Sequence, residues 1–234
     1  MMPRKKLIVN MNGNNTNLVH PQDGSQNSFT FEACYWSFDG YSQRADGYLE
    51  PAGEGMGTNG ATYADQAAVF EDVGKSMIQE TLNGFNTCVF AYGETGTGKN
   101  YTMQGDGANA GLVPVVCEEL FSHIEAKKAA PGGDKLQFQV SVQVLEIENE
   151  NIRDLFVKAN PKGGLKVKII PKIGVEVVGS TKFDVSKSVA EAQKRIETAY
   201  KNRTISRAHT VVTIAIKRFE LNATGKPVER YSKI

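Results

Sequence analysis

One stretch constrains this chain more than any other: Thr87-Cys-Val-Phe-Ala-Tyr-Gly-Glu-Thr-Gly-Thr-Gly-Lys-Asn-Tyr-Thr-Met103. Thr87 to Tyr92 is a short run of apolar, β-branched and aromatic residues, the pattern of a strand buried on both faces of a parallel sheet. Gly93-Glu94-Thr95-Gly96-Thr97-Gly98-Lys99 follows at once and matches G-x-x-x-x-G-K, the first seven positions of a phosphate-binding loop. Glycines let such a backbone take positive φ and turn successive N–H groups toward one point, and a helix N-terminus behind them adds partial positive charge. Lys99 adds a full charge for the β- and γ-phosphates.

One position departs from the motif. Where a Ser or Thr hydroxyl would reach Mg²⁺, this chain has Asn100. An amide oxygen sits one atom further out and brings an NH₂ donor, so the octahedral shell of Mg²⁺ is hard to complete. Nucleotide binding is therefore expected to be better preserved than hydrolysis.

The chain has 234 residues, 27 basic against 26 acidic. This is long enough for a proper core, and the alternation of apolar runs with helical patterns predicts a single α/β domain. The balanced charge provides no global field for nucleic acid or a membrane. Cys34, Cys88 and Cys117 stand in apolar surroundings and read as reduced core thiols of a cytosolic protein. No segment approaches membrane-spanning length, and Met1 to Lys6 lacks the apolar region of a signal peptide.

In chain order, Leu7–Met11 and Asn17–Val19 read as strands around the Asn12-Gly13-Asn14 turn, and Phe29–Trp36 as a further strand. Gly40–Gly60 reads as a surface loop. Val69, Phe70, Val73, Met77 and Ile78 recur at helical spacing between Tyr63 and Leu82, with Gly84 at the helix end. Gly105–Gly111 reads as flexible. A helix is expected from Pro114 to about Lys128 on the stripe Val115, Val116, Leu120 and Ile124, with His123 partly buried beside it rather than a metal ligand. Leu136 to Val144 alternates as a long strand, and the apolar phase shift to Leu145 and Ile147 signals a bulge or a change of buried face. Asn149–Phe156 reads as a helical turn. Leu165–Ile170 and Val175–Val178 form a hairpin carrying Lys162, Lys166, Lys168 and Lys172, either a solvated edge or a docking site for an acidic partner. Ser188-x-x-Glu191 is a capping box opening a helix with stripe Val189, Ala192, Ile196 and Ala199. Val211–Leu221 and Val228–Ile234 are strands around Asn222–Pro227.

The residues around the phosphate loop carry a family resemblance. Phe90-Ala-Tyr-Gly-Glu-Thr-Gly-Thr-Gly-Lys-Asn-Tyr-Thr-Met103 closely resembles the F-A-Y-G-Q-T-G-[ST]-G-K-[ST]-x-T-M run of kinesin motor domains. The resemblance extends through Val69–Val73, Asn83-Gly-Phe-Asn86, Gly111-Leu-Val-Pro114, Val144–Leu155 and Ser206-Arg-Ala-His209, in the family's order. Tyr35-Trp36-Ser37 looks most like the kinesin-3 branch. Residues 1–234 thus resemble a single, incomplete kinesin-type motor domain.

The resemblance implies an α/β, three-layer P-loop NTPase fold with a central, mostly parallel sheet flanked by helices, its C-terminal part lying outside the chain. It implies an ATPase that binds ATP or ADP with Mg²⁺ and couples hydrolysis to movement on microtubules (tubulin), in the cytoplasm and on the microtubule cytoskeleton. No nucleic acid or membrane partner is expected, and any homodimer would form through coiled coil outside this chain. By position, Gly93, Glu94, Thr95, Gly96, Thr97, Gly98 and Lys99 would hold phosphates. Asn100 takes the metal-ligand place, and Phe85 and Tyr101 lie near the adenine. Lys99, Ser206 and Arg207 would serve catalysis, with Ser206 facing metal and γ-phosphate and Arg207 closing an ion pair with the second switch. His209 reads as a packing residue.

Several family features differ. No R-x-R-P-like adenine contact precedes Leu7, Glu94 replaces the usual Gln, and Asn202-Arg-Thr-Ile-Ser-Arg-Ala-His209 is reached with most of the first-switch approach missing. The second switch D-L-A-G-x-E would follow Tyr231-Ser-Lys-Ile234. Two readings stay open: part of a longer motor, or a reduced, rigor-like pseudo-motor that binds nucleotide and microtubules without efficient turnover.

Overall fold

The computed structural model describes residues 7–171, 173–203, 207–222 and 224–234. Lys172 of the basic hairpin and Ser206 of the resemblance lie outside them. The chain divides into two compact units, residues 1–72 with 98–112, and residues 73–97 with 113–234.

The first unit opens with an antiparallel meander of β1 (Val9–Asn12), β2 (Asn15–Val19) and β3 (Gln26–Thr30). Asn12 pairs with Asn15, so the turn lies within the expected Asn12–Asn14 but its central residues are Gly13-Asn14, one on from Asn-Gly, with the positive φ, +54°, at Gly13. The expected strand Phe29–Trp36 is displaced: pairing ends at Thr30, opposite Asn15, and beyond it β2 offers no further partner. The expected loop Gly40–Gly60 contains a small hairpin, β4 (Tyr41–Gln43) with β5 (Leu49–Pro51). Helix α1 (Gln66–Val69) is capped by Asp65, whose Oδ1 accepts from the Ala68 amide at 2.8 Å.

The helix predicted over Tyr63–Leu82 is in three pieces, because a π turn over Phe70–Gly74 separates α1 from α2 (Lys75–Leu82). Helix α2 belongs to the second unit and ends as Gly84 predicts. Gly84 takes φ +101°, its amide donates to Thr81 O and that of Phe85 to Glu80 O, both at 3.0 Å. These are the two bonds of a Schellman cap. The chain returns to the first unit with α3 (Lys99–Met103) and the hairpin of β6 (Gly105–Asp106) and β7 (Asn109–Ala110), where flexibility was expected. The buried Asn109 side chain ties this hairpin down, accepting from the Leu49 amide at 2.8 Å and donating to Gly47 O at 3.2 Å.

The second unit continues with α4 (Leu112–Ala129), which buries Val116, Leu120 and Ile124 as predicted but starts two residues before Pro114. His123 is exposed, its Nδ1 2.8 Å from Glu119 O. Then come β8 (Gln137–Glu148), β9 (Asn151–Asp154), β10 (Lys166–Ile170), β11 (Gly174–Val178), β12 (Phe183–Asp184), α5 (Val189–Lys201), β13 (His209–Leu221) and β14 (Pro227–Lys233). The main sheet has the order β12–β8–β13–β14, with β9 also paired to β8. Its core is a set of facing apolar pairs, Ile214 with Val142, Ile216 with Val140 and Val212 with Val144. Val140, Val142 and Val144 are fully buried. The β8–β13 pairing runs unbroken from Gln137 to Ile147, so the phase shift at Leu145 is a change of buried face and not a bulge. Capping of α5 follows the sequence signal, with Ser188 Oγ accepting from the Glu191 amide and Ala192, Ile196 and Ala199 buried.

Three expectations are corrected here. Every strand ladder among the described residues is antiparallel, and the parallel contact is an isolated bridge between Trp36 and Tyr63. Asn149–Phe156 is no helical turn. Asn149 and Glu150 take φ +46° and +65°, which closes a two-residue hairpin and brings Asn151 opposite Glu148. Finally, Thr87–Tyr92 is not a strand of the described sheet. Only its first amide joins, Thr87 N–H to Lys233 O at 2.9 Å. A parallel strand needs hydrogen-bonding neighbours, and with none among the described residues beyond that rung Phe90 and Tyr92 are 80% and 94% exposed.

Candidate phosphate-loop site

The predicted loop passes from the second unit to the first between Thr97 and Gly98. In the second unit, Gly93–Thr97 is an exposed turn. The Thr97 hydroxyl donates to Glu94 O at 2.8 Å and its amide reaches the same oxygen at 3.3 Å. Gly93 takes φ +151°, and a Cβ there would come 2.7 Å from Thr97 Oγ1, so only glycine fits the turn. Gly96, at φ +89°, has open space where a Cβ would be, which leaves the backbone accessible to a ligand.

In the first unit, Gly98 is the N-cap of α3 with φ +91° and ψ 4°, and its carbonyl accepts from the Thr102 amide at 2.9 Å. Lys99 is half-buried and Asn100 exposed. The helix behind the loop is five residues long, and α4 begins only after the β6–β7 hairpin.

Tyr101 is held closely. Its carbonyl accepts from Gln66 Nε2 at 2.7 Å. Burial, with Tyr101 alongside, pushes the Tyr63 phenol well above the ordinary tyrosine range. Tyr48 is raised too, by burial and by the Asp65 carboxylate. Tyr63 and Gln66 went unnoticed in the sequence, since a Tyr and a Gln at a helix start carry no pattern of their own.

The remaining predicted residues are dispersed. Phe85 is 62% exposed, directly after the Gly84 cap, and Arg207 is exposed just before β13. Ser206 lies outside the described residues. A cleft of about 290 Å³ in the second unit is lined by Gln139, Ser141, Ile170, Ile173, Lys217 and Tyr231, and none of the predicted site residues lines it.

The glycine geometry at Gly93, Gly96 and Gly98 fits a backbone that must approach polyphosphate closely. The residues do not fit Mg²⁺ equally well. Asn100 offers a neutral amide, and among the described residues no cluster of His, Cys, Asp or Glu could hold a metal. No described helix is long and apolar enough to cross a membrane.

A family model described as the kinesin motor domain matches residues 5–234. The mouse (Mus musculus) kinesin-like protein KIF28 is 35% identical over 227 residues, covering 93% of this chain and 21% of its own. The human (Homo sapiens) kinesin-like protein KIF1C is 34% identical over 245 residues, covering 98% of this chain and 20% of its own. The chain therefore spans about a fifth of the length of these curated relatives. Among solved structures, KIF14 with ADP in complex with a microtubule superposes with a TM-score of 0.79 at 28% identity, covering 98% of this chain and 62% of that one. A fast kinesin gives 0.73 at 26% identity, covering 97% and 58%.

Proposed function

This chain belongs to the kinesin motor domain family, and on that premise we propose that it binds ATP and ADP at Gly93–Lys99 and acts in a microtubule motor. The observation that carries the proposal is the loop itself: Gly93, Gly96 and Gly98 all take positive φ, with Lys99 next in line, in a chain that one family model matches end to end. KIF14, whose structure contains ADP and a microtubule, supports both ligands. The two compact units are then parts of one motor domain, because the match runs across both. On this reading the chain works on microtubules in the cytoplasm, and dimer contacts lie in segments other than those described.

Glycine amides and Lys99 hold and orient the phosphates, which is most of what a protein contributes to phosphoryl transfer. Hydrolysis is the weaker part. Asn100 cannot supply the hydroxyl that the motif gives to Mg²⁺, and this favours a second reading, a rigor-like module that binds nucleotide and microtubules with little turnover.

Titration with ADP and co-sedimentation with microtubules test the shared part. Binding in both is expected, and failure to bind ADP at millimolar concentration would remove the nucleotide reading. ATP turnover with and without microtubules separates the two versions: microtubule-stimulated turnover excludes the rigor-like one.

A further inference from the structure

We infer that Gln66 is a positioning residue for the nucleotide loop, setting from the start of α1 where helix α3 begins; this rests on the reading of Gly93–Lys99 as that loop. Helix α3 has five residues, too few to persist in water without tertiary support. Tyr101 receives part of that support. Tyr101 stands in the last turn of α3, where carbonyls lack an intrahelical donor. Gln66 Nε2 supplies that donor at 2.7 Å.

Gln66 is 7% exposed, and burying a primary amide costs free energy unless it finds a partner. A residue needed only for packing would be apolar. Its amide is spent on a carbonyl two residues beyond Lys99. Tyr63, three residues before it, is buried too.

The segment that carries Gln66 is itself fixed. Tyr63 forms the bridge to Trp36, the Ala64 amide donates to Trp36 O at 2.7 Å, and the Tyr41 ring lies 5.2 Å from that of Tyr63. Asp65, next to Gln66, caps α1, and the Ala67 amide donates to the Tyr48 hydroxyl at 3.4 Å. The main chain of Tyr101 is thus held from a braced segment, and Lys99 and Asn100 directly precede it. Releasing the grip leaves nucleotide to order the start of α3, which lowers affinity by the fraction of time the helix is formed.

The test uses the full chain and Gln66→Met, which keeps length and removes the donor. In nucleotide-free protein, the amides of Thr102 and Gln104 should exchange with solvent about tenfold faster, with those of β8 and β13 unchanged. ADP titration should show about tenfold weaker binding. A merely structural role would lower stability throughout and leave the affinity of the folded fraction intact. Unchanged exchange at Thr102 and Gln104 overturns the inference, and so does faster exchange with unaltered ADP affinity. If Gln66→Met does not fold, Gln66→Leu, which also lacks the donor, carries the same two readouts with the same tenfold effects expected. An unmodified chain that binds no ADP refutes the nucleotide reading, while the exchange result still decides whether Gln66 holds α3.

Discussion

The amide of Thr87 donates to the carbonyl of Lys233 at 2.9 Å, and the Lys233 amide donates to Asn86 Oδ1 at 3.0 Å. This rung sets the segment leading to the phosphate loop beside the end of β14, and beyond it the segment leaves the sheet. Cys88 is exposed as a result, while Cys117 is buried in α4.

The three thiols are therefore expected to separate by reactivity. Burial, reinforced by Glu118, pushes the Cys117 thiol up to about 12, which keeps it protonated and inert near neutral pH. A thiol-disulfide reagent at pH 8 should label Cys88 first and half-buried Cys34 more slowly, with Cys117 reacting only after unfolding. Mapping the labelled peptides checks the order, and fast labelling of Cys117 would contradict the burial of α4.

Glu146 is fully buried between β9 and β13, with Arg153 at 3.3 Å and Arg203 at 4.0 Å. Removing a partner of a buried charge costs about 3–5 kcal/mol, and less here because the Arg153 side chain is 33% exposed. Arg153→Ala should destabilise by about 2 kcal/mol in urea unfolding. Glu146→Met, which takes the buried carboxylate out of the sheet, should cost less. The reverse order would mean that the carboxylate stabilises the sheet on balance.

Acid stability should depend on Glu176. Burial alone raises its carboxyl, but hydrogen bonds and charge from Lys182 and Lys233 outweigh this and hold it below the ordinary value of 4.5. Its folded pKa is depressed, so its contribution is complete above the unfolded value and is lost as pH falls through the folded one. Urea midpoints measured from pH 7 downward should fall more steeply below about pH 4.5 in the unmodified chain than in Glu176→Gln. Parallel curves would remove Glu176 from the acid response.

Asn100→Thr restores the hydroxyl that the phosphate-loop motif gives to Mg²⁺. Microtubule-stimulated ATP turnover should rise by one or more orders of magnitude, with ADP affinity changed much less. Turnover that stays flat would show that a different defect limits hydrolysis.

Short-range signals were legible in the sequence. The hairpin turn within Asn12–Asn14, the Ser188–Glu191 capping box, the Gly84 helix end and the alternation of β8 and β13 each depend on a few neighbouring residues, and the structure reproduces them. The positive φ of Gly93, Gly96 and Gly98 follows the loop motif in the same way. Asn149-Glu150 misled, because a two-residue turn of residues other than glycine looks like the opening of a helix until a partner strand is present.

What the sequence determined by itself is the nature of each local piece, including a loop suited to phosphate, because backbone preference, capping and hydrophobic period act over a few residues. Only the tertiary structure decided which pieces pair. The apolar run Thr87–Tyr92 has the composition of a buried strand, yet its hydrogen bonds need neighbours supplied from elsewhere, and past Thr87 the described residues supply none. Gln66 is the converse case: nothing near it in sequence marks it, and a single bond across 35 positions gives its amide a purpose.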